Sequence, residues 1–582
     1  MYFIKWEVVI IIFVIHMGIA VTPPKVNLKP CAKIIGDEPI THSSVIPYLG
    51  GRSPGDQIGT TAYDYQASGS FGQRIMVDDY GQAHINWMWQ DYPGQTMRYC
   101  AWNARFTNGS YYGETQASNS WSGYVQLDIT RDANPDNQRT VIAYHYDAGS
   151  GFFSWIDIDG GNLWGTWPNN PTTPGVADYI WPYVCAANNG NIIMATGDYN
   201  AETHHLFLTT DEGASWTAII DIDSCICLSQ FLRASHNSDK VVFVNTSFIT
   251  DSFVSGQLDN DVYYMLSTNG GATWGSRINV TNYQPSDTVR AFTDVNAIFD
   301  ANDHLHIVWA GRMIINGNYY QASNIFHWDE LSNTIVKVNS PSNYYTGEWW
   351  ITSGTADPGA WRMPADRPQL IYDPTNPNDL YCLWLGNDDY SDTSANGYFN
   401  GEIYGAYSSD GGLTWTDYVN LTNTRTPGGA SGACDDEDYM TAYPRVVNDS
   451  IFVTYIEDKD AGSLPHGEGV LTENPVRCWV FPTSMIGVEE QNTELPGATT
   501  IAITPNPVGR VGVLSYALAR AGKINLRLYD ASGRLVKSLA QGYQGAGSYT
   551  VRLSTAGLAN GTYFVVLDTP FRRVSESLII VH

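Results

Sequence analysis

The chain has 582 residues, too many for one ordinary domain and about right for one large repeat domain plus a smaller module. Charged residues make up only 15%, and 59 Asp and Glu face 31 Lys and Arg; the formal charge of −28 repels nucleic acid and anionic membrane surfaces and excludes both as default partners. Aromatic residues reach 13%, beside 54 Gly and 28 Pro, a mixture of strand formers and turn formers that predicts an all-β chain and excludes helical bundles and disorder.

Residues 1–20 read as a secretory signal peptide: Lys5 supplies the charge, Val8 to Ile15 is apolar, and Gly18-Ile19-Ala20 offers small residues for cleavage. That run is shorter than the roughly 20 residues a bilayer span needs, and no later run is long enough, so the mature chain is expected to have no transmembrane anchor. Residues 21–60 form an N-terminal segment, 61–483 the repeat domain, 484–497 a polar linker and 498–582 a C-terminal module. The eight cysteines follow the signal and allow disulfides, with about a hundred possible pairings.

Within the repeat domain, Thr209-Thr210-Asp211-Glu212-Gly213-Ala214-Ser215-Trp216 recurs as Ser267-Thr268-Asn269-Gly270-Gly271-Ala272-Thr273-Trp274 and as Ser408-Ser409-Asp410-Gly411-Gly412-Leu413-Thr414-Trp415. The pattern resembles the Asp-box, or BNR repeat, of sialidases and related propellers. In that pattern Asp211, Asn269 and Asp410 cap turn amides, Gly takes positive φ, and Trp216, Trp274 and Trp415 pack beside a neighbouring sheet. The resemblance implies a structural role on the propeller rim for these residues. Apolar strands follow polar turns at 81–87, 191–196, 304–309, 379–384 and 450–455, and 144–147 and 326–329 sit where degenerate boxes would fall. The expected fold is therefore a six- or seven-bladed β-propeller, with seven blades counted near residues 70, 125, 182, 230, 290, 367 and 442.

A sialidase would need an arginine triad and an early F/Y-R-I/L-P strand. Gly72-Gln73-Arg74-Ile75-Met76 lacks the proline, and Arg362-Met363-Pro364 comes late. Arg74, Arg233, Arg290, Arg367 and Arg445 each fall in the leading strand of a different blade, so they are expected either to ring a channel mouth and receive an anionic sugar, or to pair with acids such as Asp78, Asp294 and Asp366. Asp458-Lys459-Asp460-Ala461-Gly462 opens like a calcium loop, with Asp435 to Asp438 before it, and makes Asp458 and Asp460 candidates for a structural calcium. It lacks the Glu twelve positions on that an EF-hand requires. His204-His205 and His304-x-His306 have no third ligand near in sequence, and Trp349-Trp350 either stacks sugar rings or seals a blade.

From Pro496 onward nine Lys and Arg face three Asp and Glu, against 22 and 56 in the rest of the chain, which marks a separate module. Alternation at 524–529, 549–553 and 563–567 predicts a small β-sandwich. Pro505-Asn506-Pro507, Tyr529-Asp530-Ala531-Ser532-Gly533-Arg534-Leu535-Val536, Gly561-Thr562-Tyr563-Phe564 and the finish Leu578-Ile579-Ile580-Val581 resemble a type A C-terminal sorting domain. That resemblance implies the type IX secretion machinery as partner and a secreted or outer-membrane-surface location. The functional expectation is binding of glycan or another extracellular polymer. The alternatives are a sialidase-like exo-glycoside hydrolase acting on acidic sugars and a structural surface protein.

Overall fold

The computed structural model describes residues 33–34, 52–486 and 500–582, apart from short stretches at 92–96, 119–120, 161–164, 168–170, 199, 249–258, 340–348, 352–355, 390, 505, 519–521, 532, 546 and 570–572. The signal peptide, most of the N-terminal segment and most of the linker lie outside these residues. The chain divides into two compact units at Gly487/Val488. The protein is all-β, and among the described residues the few helical turns are three-residue 3₁₀ segments.

In the first unit the ladders fall into seven consecutive antiparallel groups, each opened by a leading strand: Ile75–Val77, Ser122–Ile129, Tyr179–Ala186, Gln230–Ala234, Val289–Phe299, Ala365–Tyr372 and Asp436–Ala442. Consecutive leading strands touch one another, and the first also touches the seventh group. The predicted apolar strands form the second strands, such as Ala83–Gln90, Leu305–Ile315 and Leu380–Gly386. These are buried along nearly their whole length rather than on alternate residues, because each sheet is covered on both faces by its neighbours. Polar turns register them: Asp78 Oδ1 accepts the amides of Tyr80 and Gln82 at 3.0 and 2.8 Å, and Asp300 Oδ1 those of Asn302 and His304, both at 2.8 Å.

The seventh group is completed from the other end of the chain. Asp56–Thr61 pairs antiparallel with Asn474–Pro482, with Asp56 opposite Cys478 and Thr61 opposite Asn474. Side chains of the first group hold its other flank: Asn103 Nδ2 donates to the Ile58 carbonyl at 2.9 Å and Trp87 Nε1 to that of Thr60 at 3.2 Å. A strand that the sequence assigns to the N-terminal segment is thus part of the large unit.

The three eight-residue repeats form one turn, built three times. Asp211, Asn269 and Asp410 accept the amide four residues on at 2.8, 2.9 and 2.9 Å, and the hydroxyl two residues before each accepts the amide of Gly213, Gly271 and Gly412 at 2.7, 2.9 and 2.8 Å. Trp274 and Trp415 donate their indole N–H to the second glycine's carbonyl at 3.0 and 3.1 Å, and Trp216 to Thr172 Oγ1 at 3.4 Å. The turns also dock on the preceding group, since a Cβ on Gly271 would lie 2.4 Å from Ile193 and one on Gly412 2.2 Å from the His327 ring. Asp329, which accepts the Leu331 and Ser332 amides, supplies a degenerate copy. Residues 144–147 do not: they end a second strand, and the corresponding turn follows the third strand, where Asp159 accepts the Gly165 and Thr166 amides at 2.7 and 3.0 Å.

The second unit has two sheets, Thr500–Thr504, Val511–Leu518 and Gly547–Ser554 in one, Leu535–Gln544, Gly522–Asp530, Gly561–Asp568 and Arg573–Ile580 in the other. Alternation places Leu514, Leu526, Leu528, Val565, Leu578 and Ile580 in a single core that both sheets share.

The docking of the turns makes a prediction. Gly412→Ala combines positive φ with the collision against His327 and should lower stability by about 2 kcal/mol or more. Gly411→Ala, also at positive φ but with open space around its Cβ, should cost about 1 kcal/mol. Urea midpoints of the two variants measure the difference.

Candidate functional site at the start of the leading strands

Near their starts the leading strands carry bulges that interrupt pairing, between Gly123 and Gln126, Ala291 and Val295, Asp366 and Gln369, and Asp438 and Thr441. At this position Tyr124, Trp181, Arg367 and Tyr439 adopt φ of 54°, 51°, 50° and 52°. Bulky side chains are rare in that region, and a bulge re-aims the side chain it carries. All four are buried where the leading strands meet. Residues 61–78 cross the same place, buried at every position, with Ser70 bonded to Leu228 and Thr293 carbonyls and Leu464 N–H donating to Asp64 Oδ2 at 2.7 Å.

Arg367 lies over the Tyr439 ring at 4.0 Å and pairs with Asp438, whose other oxygen takes Arg362 Nη1 at 2.8 Å; Arg362 also binds Asp366 at 2.9 Å. Such buried pairs cost desolvation and hold only while every partner is present. The surrounding acids outnumber these cations. Burial, with Asp438 and Asp460 nearby, pushes the Asp64 carboxyl up to about 8; burial, with Asp438, pushes Asp436 to about 8; and burial, with Asp366, pushes Asp294 to about 7. Asp64 Oδ1, Asp294 Oδ1, Asp366 Oδ1, Arg74 Nε and Thr293 Oγ1 are buried without a hydrogen-bond partner, a concentration of donors and acceptors that marks a polar site.

Of the five arginines expected in leading strands, Arg233, Arg290 and Arg367 lie within them, Arg74 just before one and Arg445 just after another, and the five do not form one ring. Arg74, bonded to Gln66 Oε1 at 2.7 Å and close enough to Tyr183, Tyr439 and Tyr124 to interact electrostatically, belongs with Arg367 at this end. Arg290 stands apart, paired with Asp259 and bonded to the Gln284 carbonyl at 3.0 Å. Arg233 and Arg445 line a separate cavity near the opposite ends of the leading strands. Asp458 and Asp460 are buried, Asp458 Oδ1 accepting the Asp460 amide at 3.0 Å and Asp460 Oδ1 the Ser431 hydroxyl at 2.9 Å. Among the described residues no group of three or more His, Cys, Asp or Glu is placed to hold a metal ion. Lys459 between them is fully buried on Asp435 at 2.7 Å and Glu457 at 3.1 Å.

His204 is buried against the Ser229 carbonyl at 3.2 Å, and His306 meets His327 at 3.0 Å. Trp350 is buried among Trp384, Tyr404 and Tyr418, sealing the sixth group, whereas Trp349 is half-buried near Lys337. Seven cysteines are described; all are buried and none is in a disulfide.

The sequence reading missed a row of half-buried rings at the rim of this end, across the first three groups. Trp89 stacks on Tyr99 at 4.4 Å, and Trp121 receives Arg98 over its ring at 4.8 Å. Tyr146 and Trp155 meet edge-on at 5.9 Å, and Tyr179 stacks on His205 at 3.8 Å. Ladder pairs set two of them, with Ser122 opposite Tyr146 and Phe153 opposite Tyr179. A partial signal was present: Trp89, Tyr99, Tyr146 and Tyr179 lie at or near strand ends, whereas Trp155 sits mid-strand like a core aromatic.

Residues 502–581 match the family described as the secretion system C-terminal sorting domain. The protein is therefore secreted, to the cell surface or the extracellular space. A comparison with curated proteins finds no match. Among solved structures the chain is similar to an ulvan lyase of polysaccharide lyase family PL25 (11% identity, TM-score 0.44, 72% of this chain and 97% of that one). It is also similar to a GH93 α-L-arabinofuranosidase of Fusarium graminearum (9%, 0.36, 62% and 93%) and to a GH74 xyloglucanase from Xanthomonas campestris (10%, 0.36, 90% and 75%).

The raised carboxyls set a pH dependence. Asp64, Asp436 and Asp294 hold their protons more tightly folded than at the unfolded value of about 4, so folding takes up protons at neutral pH. Their contribution is complete below about pH 4 and is lost as pH rises through 7 to 8. Calorimetric Tm should fall between pH 5.5 and 8.5, and Asp64→Asn, which keeps the acceptor for Leu464 but cannot ionise, should make the fall shallower.

Proposed function

We propose that the first unit is a seven-bladed β-propeller that binds an extracellular polysaccharide, and that the second is a β-sandwich sorting module through which the type IX machinery exports it. The row of half-buried rings carries the binding reading: flat aromatic faces pack against the C–H faces of sugar rings, while flanking polar groups such as Asp147 and Asp178 bond hydroxyls. The repeated eight-residue turns act as Asp-boxes that fix one blade to the next. Burial of the cluster's carboxyls, Asp64, Asp294, Asp366 and Asp436, favours binding over turnover.

Affinity electrophoresis of the exported protein in gels carrying neutral and acidic polysaccharides tests this. Trp89→Ala and Trp155→Ala should each weaken retardation about tenfold, roughly 1.4 kcal/mol, with a Tm close to wild type. Unchanged retardation in both would remove the rim as the binding surface.

A second reading is favoured by one observation: Asp294, raised to about 7 beside Asp366, has the poise of a general acid. Release of new sugar ends by the wild type, abolished in Asp294→Asn, would replace binding by glycoside cleavage. A structural calcium at Asp458 and Asp460 is the lesser proposal. Chelation with EDTA should lower Tm if it is present, and an unchanged Tm would dismiss it.

A further inference from the structure

At the other end of the leading strands a small cavity has a composition unlike the rest of this acidic chain. It is lined by Arg131, Arg233, His236 and Arg445, with Phe299 and Tyr372 among the apolar and aromatic walls and no carboxylate in the lining. Ala234, Phe299 and Tyr372 end three leading strands, and Arg131 and Arg445 follow closely on two others, so the cavity collects groups from around the first unit.

Its cations are poorly compensated. Among the described residues neither Arg233 nor Arg445 has a carboxylate within 4.0 Å, and Arg131 approaches Asp128 only at 3.7 Å. Arg233 makes do with neutral acceptors, Gln73 Oε1 at 2.5 Å and the Ala297 carbonyl at 3.3 Å. A buried guanidinium without a counter-charge is costly, and burial lowers the Arg233 value to about 10.

Residues of this lining leave donors over. Arg445 Nη1 lies 2.7 Å from His236 Nε2; the guanidinium can only donate, so Nε2 is the acceptor and the ring proton sits on Nδ1. Burial, then Arg445 and Arg131, keep that imidazole neutral. His236 Nδ1, Arg445 Nε and Arg131 Nε are all buried and have no hydrogen-bond partner. Side chains with three unpartnered N–H groups and three positive charges line a volume of about 20 Å³, enough for one water-sized species and too small for a sugar or a sulfate.

We propose that this cavity is a binding site for a small monatomic anion of halide size, held by the N–H groups of Arg131, His236 and Arg445. Arg445 also forms a parallel bridge with Tyr372, linking the sixth and seventh groups beside the closing ladder, so an anion here ties the ring together as well as balancing its charge. The site is distinct from the ring-lined rim and does not depend on polysaccharide binding.

The test uses the full chain and chloride as the probe. Excess line broadening of the ³⁵Cl NMR signal should be several-fold smaller in Arg445→Gln and in Arg131→Gln, and unchanged in Arg552→Gln, an exposed arginine of the second unit. Replacing gluconate by chloride at constant ionic strength should raise the Tm of the wild type and not of the two cavity variants. Two variants are used so that misfolding of one leaves the other to decide. Broadening that is equal in the wild type and in a folded cavity variant would overturn the proposal, as would broadening lost equally in Arg552→Gln.

Discussion

Closure of the large unit rests on one backbone ladder. A sheet that opens the chain's repeats and one that ends them would each present an unpaired edge; instead Asp56–Thr61 lies on Asn474–Pro482 and is held on its other flank by Asn103 and Trp87. Residues more than 400 positions apart in sequence thereby become neighbours, and the segment that follows, 61–78, is drawn through the centre. The buried polar cluster follows from that path: Asp64, Gln66, Ser70 and Arg74 come from the segment, and bond partners such as Tyr183, Thr293 and Leu464 from the third, fifth and seventh groups.

Between neighbouring groups the repeated turns add to a few strand contacts, Phe153 opposite Tyr179, Asn260 opposite Ala291 and Tyr372 opposite Arg445. A carboxylate or amide that caps the turn shapes a glycine to lie against the preceding sheet, where even a methyl group would collide. This division separates support from chemistry. The turns hold the groups, while the bulged starts of the leading strands, relieved of regular pairing, carry Tyr124, Trp181, Arg367 and Tyr439 in strained conformations held by packing and by polar contacts such as the Arg367 pair with Asp438.

The two ends of the leading strands also differ in charge. At the start, carboxyls exceed guanidiniums and meet the cost of burial by keeping their protons; at the far end, Arg131, Arg233 and Arg445 exceed carboxylates and cannot shed theirs. A formal charge of −28 says nothing of this, because opposite excesses at two sites cancel in the sum.

The sequence by itself determined the all-β class, the positions of the repeated turns, the second strands that follow polar turns, and the sorting module, because each of these depends on neighbours a few residues apart: a capping side chain, a glycine at positive φ, a two-residue alternation. It also placed an arginine within three leading strands, at Arg233, Arg290 and Arg367, and one just outside two others, at Arg74 and Arg445. What those arginines meet was decided only by the tertiary structure, which groups Arg74 with Arg367, isolates Arg290 on Asp259 and sends Arg233 and Arg445 to a cavity shared with Arg131. The closing strand, the bulges and the row of rings were equally hidden, since pairing across the whole chain and the direction of a side chain at a bulge are set by contacts between groups, and no local pattern of residues encodes those.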